Sequence, residues 1–286
     1  MWETREVPVA PERGDGATFS ARLQRAMERN ESLLCVGLDP EVGRLPARLR
    51  GLPPAEALVA FNREIVAATA DLVACYKPNL AFYEAWGPAG LEALRQTLAL
   101  IPREVPTIGD GKRGDIANTM RLYAQALFQV YGFDAVTASP YFGQDALEPL
   151  LARRERGVYL LCRTSNPGAA AITDLLVDGR PLFLALAERV RAWNENGNVG
   201  LVVGATYPRE LARVRERCPE LPVLVPGVGA QQGALEEAVR AGVDEDRAGL
   251  LIAAARQVLY ASSGDDFATA ARQAAAGLRD RINRVR

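Results

Sequence analysis

The sequence predicts a single-domain α/β protein, a (β/α)8 TIM barrel with an extra helix ahead of its first strand. Three observations predict it. Eight short runs, apolar on nearly every residue, recur along the chain, as strands of a parallel sheet buried on both faces should. Segments with helical spacing and Arg/Glu outer faces lie between them. No G-x-G-x-x-G follows the first run, which removes the main support for the alternative, an open doubly wound sheet. The length of 286 residues suits one such domain, since barrels commonly reach ~250 residues.

In chain order the expected strands are Leu33–Asp39, Ala74–Asn79, Thr107–Asp110, Ala135–Ser139, Val158–Arg163, Val199–Gly204, Val223–Pro226 and Leu250–Ala254. Helices are expected at Pro54–Leu72, Gly90–Leu100, Ile116–Val130, Pro181–Trp193, Arg209–Arg217 and Leu235–Ala241. The last helix, Asp265–Val285, shows the period best, with Phe267, Ala271, Ala274, Leu278 and Ile282 on one stripe. Phe19–Arg29 reads as the extra helix, closing the bottom of the barrel. Residues 1–17 read as a loosely held arm, and 18–286 as the barrel domain. No internal repeat and no low-complexity tract interrupts it.

Composition excludes several classes. Hydrophobic residues make up 49% and charged residues 24%, the balance of a globular protein rather than a disordered one. A net charge of −1 gives no bulk attraction to nucleic acid or an acidic membrane. No run of ~18 apolar residues could span a bilayer, and the N-terminus has no apolar core of the signal-peptide kind. Cys35, Cys75, Cys162 and Cys218 have no CxxC spacing and read as reduced thiols of a cytoplasmic protein.

The chain has no histidine, which removes the commonest general base and the commonest metal ligand together. Of its 34 basic residues only Lys77 and Lys112 are lysines. Arginine has replaced lysine wherever charge alone matters, so the two survivors mark places where a compact ammonium able to give up a proton is needed. Both fall at expected strand ends, where barrels gather their chemistry. Asp39 follows the first strand, Lys77 ends the second, and Asp110 and Lys112 follow the third.

The run Asp110-Gly111-Lys112-Arg113-Gly114-Asp115 sets two carboxylates around one lysine, one strand away from the other lysine. Such a cluster is ordinarily a solvated surface feature. In a cleft, interleaved ammonium and carboxylate groups hold one another ionised and can deliver a proton to a developing carbanion without histidine or metal. Across the barrel, Pro226-Gly227-Val228-Gly229-Ala230-Gln231 ends the seventh strand and Arg256 follows the eighth. Glycine-exposed N–H groups and an arginine there make a phosphate grip, where a plain tight turn is the blander reading.

With these motifs in order, the sequence resembles the orotidine 5′-phosphate decarboxylase family, in its longer bacterial branch. The resemblance runs from Phe19 to about Ala276. It rests on Val36-Gly37-Leu38-Asp39-Pro40, Tyr76-Lys77-Pro78-Asn79, the Asp110–Asp115 run, Thr137-Ala138-Ser139-Pro140-Tyr141, Thr164-Ser165-Asn166-Pro167-Gly168 and the Pro226–Gln231 loop. It implies cofactor-free, metal-free decarboxylation of orotidine 5′-phosphate to UMP, the last step of de novo pyrimidine nucleotide synthesis. Lys112 would protonate C6, and Asp110 would lie against the substrate carboxylate and keep Lys112 charged. Lys77 and Asp39 would bind ribose hydroxyls. Asp115, Ile116 and Thr119 would reach the active site of a second subunit in a homodimer. Ser165 would bond the pyrimidine edge, Gln231 and Arg256 the phosphate, and the loop from Asn166 to about Gly179 would fold over the ligand. Ala255 stands where many relatives have glycine, a change that keeps the backbone N–H.

Two rival readings stay open at this stage. Asp-x-Lys-x-x-Asp is shared with relatives that act on sugar phosphates through a divalent metal. Asp39 and Asp115 could serve such an ion, although the run has no extra glutamate. The other rival is a barrel that binds a nucleotide without turning it over, a reading that leaves the two lysines in an ionised array without a purpose.

Overall fold

The computed structural model describes residue 9, residues 16–228 and residues 234–286. Eight parallel strands form its centre: β1 (Leu34–Gly37), β2 (Cys75–Lys77), β3 (Ile108–Arg113), β4 (Ala135–Ala138), β5 (Gly157–Arg163), β6 (Val199–Val203), β7 (Val223–Pro226) and β8 (Leu250–Ala254). Their order around the sheet is β2-β1-β8-β7-β6-β5-β4-β3. Two parallel bridges, Tyr76 with Thr107 and Asn79 with Asp110, join the ends and close the barrel. Every residue of β1, β2, β4, β6 and β8 is buried, as strands covered by side chains inside and helices outside must be.

The outer ring comprises α2 (Pro54–Thr69), α3 (Gly87–Leu100), α4 (Ala117–Gln125), α5 (Gln144–Leu151), α6 (Leu182–Ala192), α7 (Pro208–Arg217), α8 (Ala234–Gly242) and α9 (Phe267–Asn283), with α1 (Phe19–Arg29) preceding β1. Proline opens α2 and α7 at the one helical turn that needs no donor N–H. A π-helical segment, Ala126–Val130, prolongs α4 over the span expected to be helical. Among the described residues no helix is long and apolar enough to cross a membrane.

As expected, α1 closes the bottom of the barrel. The Phe19 N–H donates to Glu155 O at 3.0 Å, and the Phe19 ring meets Tyr159 edge-on. Arg22 forms a buried ion pair with Asp134, the residue before β4. The other Asp134 oxygen accepts the Thr107 N–H at 2.8 Å.

Three expectations need correction. Asp110 and Lys112 do not follow the third strand, because β3 runs on to Arg113 through an irregularity. Gly109 pairs with Val136 and Arg113 with Ala138, so β3 takes two residues more than β4 between these pairings. The charged residues looked like a loop because a strand with such side chains survives only where a bulge turns them into a site. On α9 the buried stripe is Phe267, Ala271, Ala275, Leu278 and Ile282, not Ala274. At 3.6 residues per turn Ala274 lies roughly 60° from the stripe's centre. The helix α5 was not anticipated; its eight residues include Pro149, too short and too broken for a period to show.

Candidate active site

The C-terminal ends of the strands surround a cavity of about 780 Å³. Its wall includes Asp39, Lys77, Asp110, Ser165, Pro226 and Arg256, all expected on sequence grounds. Asp110 is its electrostatic centre. Lys77 Nζ donates to Asp110 Oδ2 at 2.7 Å, and Lys112 Nζ to Oδ1 at 2.6 Å. The Thr137 hydroxyl also donates to Oδ1, at 2.9 Å, while accepting the Lys112 N–H at 3.0 Å. Both carboxylate oxygens are therefore occupied, and β4 fixes the backbone of the residue that carries the second ammonium.

The strand irregularity determines how Lys112 is presented. Its φ of 47° is left-handed, a conformation that costs an L-residue about 1 kcal/mol. Non-glycine residues are held there where surrounding structure over-determines them, and such sites are commonly functional. Lys77 is buried, whereas the Lys112 side chain is 45% exposed. One ammonium is locked in the wall; the other stands at its rim and is not part of the cavity lining.

Burial alone would lower the affinity of the Lys77 amine for its proton, but Asp39 and Asp110 together outweigh it and hold the group above an ordinary lysine. Burial would likewise raise the Asp110 carboxyl, yet Lys77 and Lys112 hold it well below the usual carboxylate range. Asp39 goes the other way. Its burial pushes it above the ordinary value of 3.8, against the pull of Lys77 and of the Asn79 N–H, which donates to its Oδ1 at 3.0 Å. Asp39 is carried by a buried relay: Asn62 donates to the Tyr83 hydroxyl at 2.9 Å, which donates to the Leu38 carbonyl at 2.9 Å.

On the opposite wall close backbone approach decides the geometry. A Cβ on Gly204 would fall 2.7 Å from Ser165 Cα, so the glycine after β6 leaves the space Ser165 occupies. Gly227, lining the cavity after β7, has φ +95°, which a side chain would resist. The Ala255 side chain fits because Gly37, opposite it, has no Cβ. Arg256 begins a short helix, Arg256–Leu259, directly after β8.

Asp115, Ile116 and Thr119 do not line this cavity. Asp115 Oδ1 accepts the N–H of its neighbour Ile116, and Ile116 is 60% exposed. Gln231 lies outside the described residues. Sequence reasoning missed Arg44, Asn79, Thr206 and Gln257 in the wall and Thr137 beside it. A threonine pointing inward from an otherwise apolar strand was a readable signal for Thr137; Arg44, one arginine among many, carried none. Among the described residues no group of three or more Asp, Glu, His or Cys side chains converges in a way that could hold a metal ion.

This arrangement can bind an anion-bearing ligand between a basic, glycine-lined wall and a charge-alternating one, and can place an ammonium beside a carboxylate. Comparison with known proteins agrees in kind. The profile of the orotidine 5′-phosphate decarboxylase / HUMPS family matches residues 32–273. An orotidine 5′-phosphate decarboxylase of Thermomicrobium roseum is 55% identical over 272 residues, covering 94% of this chain and 96% of the relative. Its counterpart in Roseiflexus castenholzii is 52% identical, covering 93% and 97%. The solved OMP decarboxylase of Leishmania donovani superposes with a TM-score of 0.83 at 40% identity, covering 94% of this chain and 98% of that one.

Proposed function

The chain belongs to the orotidine 5′-phosphate decarboxylase / HUMPS family, and from that premise we propose that it converts orotidine 5′-phosphate to UMP and carbon dioxide without a cofactor, Lys112 protonating C6. The observation that carries this reading is the cavity-lining carboxylate of Asp110 held between the Lys77 ammonium in the wall and the Lys112 ammonium at its rim. A carboxylate with both oxygens already engaged by cations is better suited to ordering those cations than to gripping a metal, which favours the decarboxylase over a metal-dependent phosphosugar enzyme.

Loss of carbon dioxide from C6 leaves an electron pair in the plane of the ring, with no π system to accept it. The C–C bond breaks, its electrons stay on C6, and the proton comes from the Lys112 ammonium. Stabilisation is therefore electrostatic and must be built before the reaction. Asp110, with Thr137, keeps the ammonium in place; its negative charge beside the departing carboxylate destabilises the bound acid. Asp39 and Lys77 hold the ribose hydroxyls. Pro226, Gln231 and Arg256 hold the phosphate, and Ser165 the pyrimidine edge. Contacts distant from C6 supply the binding energy that orients the ring.

The active unit in this reading is a homodimer in the cytoplasm, Asp115, Ile116 and Thr119 completing the partner's site. What supports it is their position away from their own cavity, at the start of α4, together with the exposed apolar side chains Ile116, Leu122, Tyr141 and Phe142. Mixing Lys112→Ala with Asp115→Ala subunits should restore part of the activity that neither has alone; no recovery would remove the shared site. The reaction is tested by following orotidine 5′-phosphate absorbance after exhaustive chelation. Conversion to UMP is expected. Turnover of a phosphosugar on adding magnesium, with none of orotidine 5′-phosphate, would overturn the reading.

A further inference from the structure

Arg163, the last residue of β5, is the largest fully buried side chain among the described residues and plays no part in the chemistry above. Its backbone is fixed in the barrel: it pairs with Val203 of β6, and its carbonyl accepts the Gly204 N–H at 2.8 Å. Its guanidinium lies 3.9 Å over the ring of Tyr207, the residue before α7. The charge is met by Asp174, with Nε 3.1 Å from Oδ1 and Nη2 donating to Oδ2 at 3.2 Å. The arginine is 1% exposed and the aspartate 42%, so a buried cation depends on an acid brought to it from outside.

Asp174 belongs to the loop that leaves the barrel immediately after Ser165. The loop forms a 3-10 turn at Pro167–Ala169, a helical turn at Ala170–Thr173 and a ribbon pairing Leu176–Val177 with Arg180–Pro181. Apolar burial does little to hold it down, since Ile172, Leu175 and Leu176 are 61%, 56% and 70% exposed. Its far end is tied to α6 by Arg180 and Glu188 at 2.6 Å. Between Ser165 and that end, the Arg163–Asp174 pair ties it to the buried wall of the barrel. Arginine suits the position because one edge of its guanidinium pairs with the carboxylate, Nη2 donating the hydrogen bond, while its face stacks on Tyr207.

We propose that Arg163 is a positioning residue that, through Asp174, holds the 166–181 loop against the rim of the cavity beside Ser165, so that retention of substrate depends on this ion pair. The inference rests on the decarboxylase reading for its substrate but not for its geometry. Asp174→Ala in the full-length protein tests it, because a half-exposed loop acid can be removed without emptying the core. Hydrogen exchange in the unliganded protein should quicken most across residues 166–181, and the melting temperature should fall as well, because the Arg163 guanidinium is left buried without its acid. KM for orotidine 5′-phosphate should rise roughly ten- to a hundredfold, the worth of a charged hydrogen bond, with kcat little changed. Asp174→Glu should recover part of both. Wild-type exchange in Asp174→Ala, or faster exchange with KM unmoved, overturns the proposal. Absence of turnover in the wild type would sink the substrate assignment alone, leaving the exchange result to decide the latch.

Discussion

Lys77 and Lys112 neutralise one carboxylate from its two sides, at 2.7 and 2.6 Å from the two oxygens of Asp110. Two cations on one anion leave a net positive charge facing the cavity, which Asp39 reduces from the β1 side. The array is stable because each member is worth more to its neighbours ionised than neutral. It is also asymmetric. Lys77 is buried and fixed, and Lys112 is half-exposed on a strained backbone. The exposed member is the one suited to give up a proton.

Lys112→Ala should lower kcat by roughly a thousandfold or more, since both a proton donor and a preorganised charge are removed. Lys112→Arg is the sharper variant. It keeps the charge but cannot release a proton at neutral pH, so its kcat should fall nearly as far as in the alanine protein. Near-wild-type turnover in the arginine variant would reduce Lys112 to an electrostatic role.

Activity and stability should part company in acid. Asp39 is held above 3.8 by burial, so it protonates before an ordinary carboxylate as pH falls, and kcat/KM should drop with it. Asp110 is held well below 3.8 by its lysines. A depressed acid contributes stability that is present above its unfolded value and is lost only as pH falls through its folded one. Its contribution should thus survive at pH 4, where activity is already falling. Lys77, raised above 10.5, contributes stability that is complete below that value and is lost as pH rises past its folded one. Parallel titrations of kcat/KM and of urea midpoint check this. Coincident acid limbs would contradict it.

The barrel was legible in the sequence because its strands are apolar on nearly every residue and its helices carry arginine on one face, two signals of different period. The two lysines were legible because arginine had replaced all the others. What sequence could not supply was geometry created across strands. Thr137 reaches Asp110 only because β4 lies beside β3, and the bulge at Gly109–Arg113 exists only in that pairing. Arg163 looked like a strand-end residue, and nothing local says that Asp174, eleven positions on, returns to it. The placement of Asp115 and Thr119 opposite a partner was implied by resemblance alone.

Arg256→Ala should weaken capture more than chemistry. Arg256 lies across the cavity from Asp110, on the β8 side. An arginine–phosphate contact strengthens binding of substrate and transition state alike, so KM should rise by roughly ten- to a hundredfold with kcat far less affected. UMP affinity should fall with it, while uridine affinity stays unchanged. An equal loss for UMP and uridine would place Arg256 away from the phosphate.

The last prediction concerns the bottom of the barrel and separates stability from catalysis. Asp134 is fully buried and carries three duties: it pairs with Arg22 of α1, accepts the Thr107 N–H at 2.8 Å and accepts the Thr107 hydroxyl at 2.9 Å. Asp134→Ala strands a buried guanidinium and a buried N–H at once, which should cost about 3–5 kcal/mol. Arg22→Met should cost less. Asp134 then keeps both Thr107 bonds and the more distant Arg156, 3.8 Å away, while methionine covers the apolar surface that the arginine stem covered. Urea unfolding of the two variants gives the order, and KM measured well below the unfolding transition should match wild type in both. A larger loss in Arg22→Met than in Asp134→Ala would mean that helix docking, rather than the buried acid, dominates the energetics of this end.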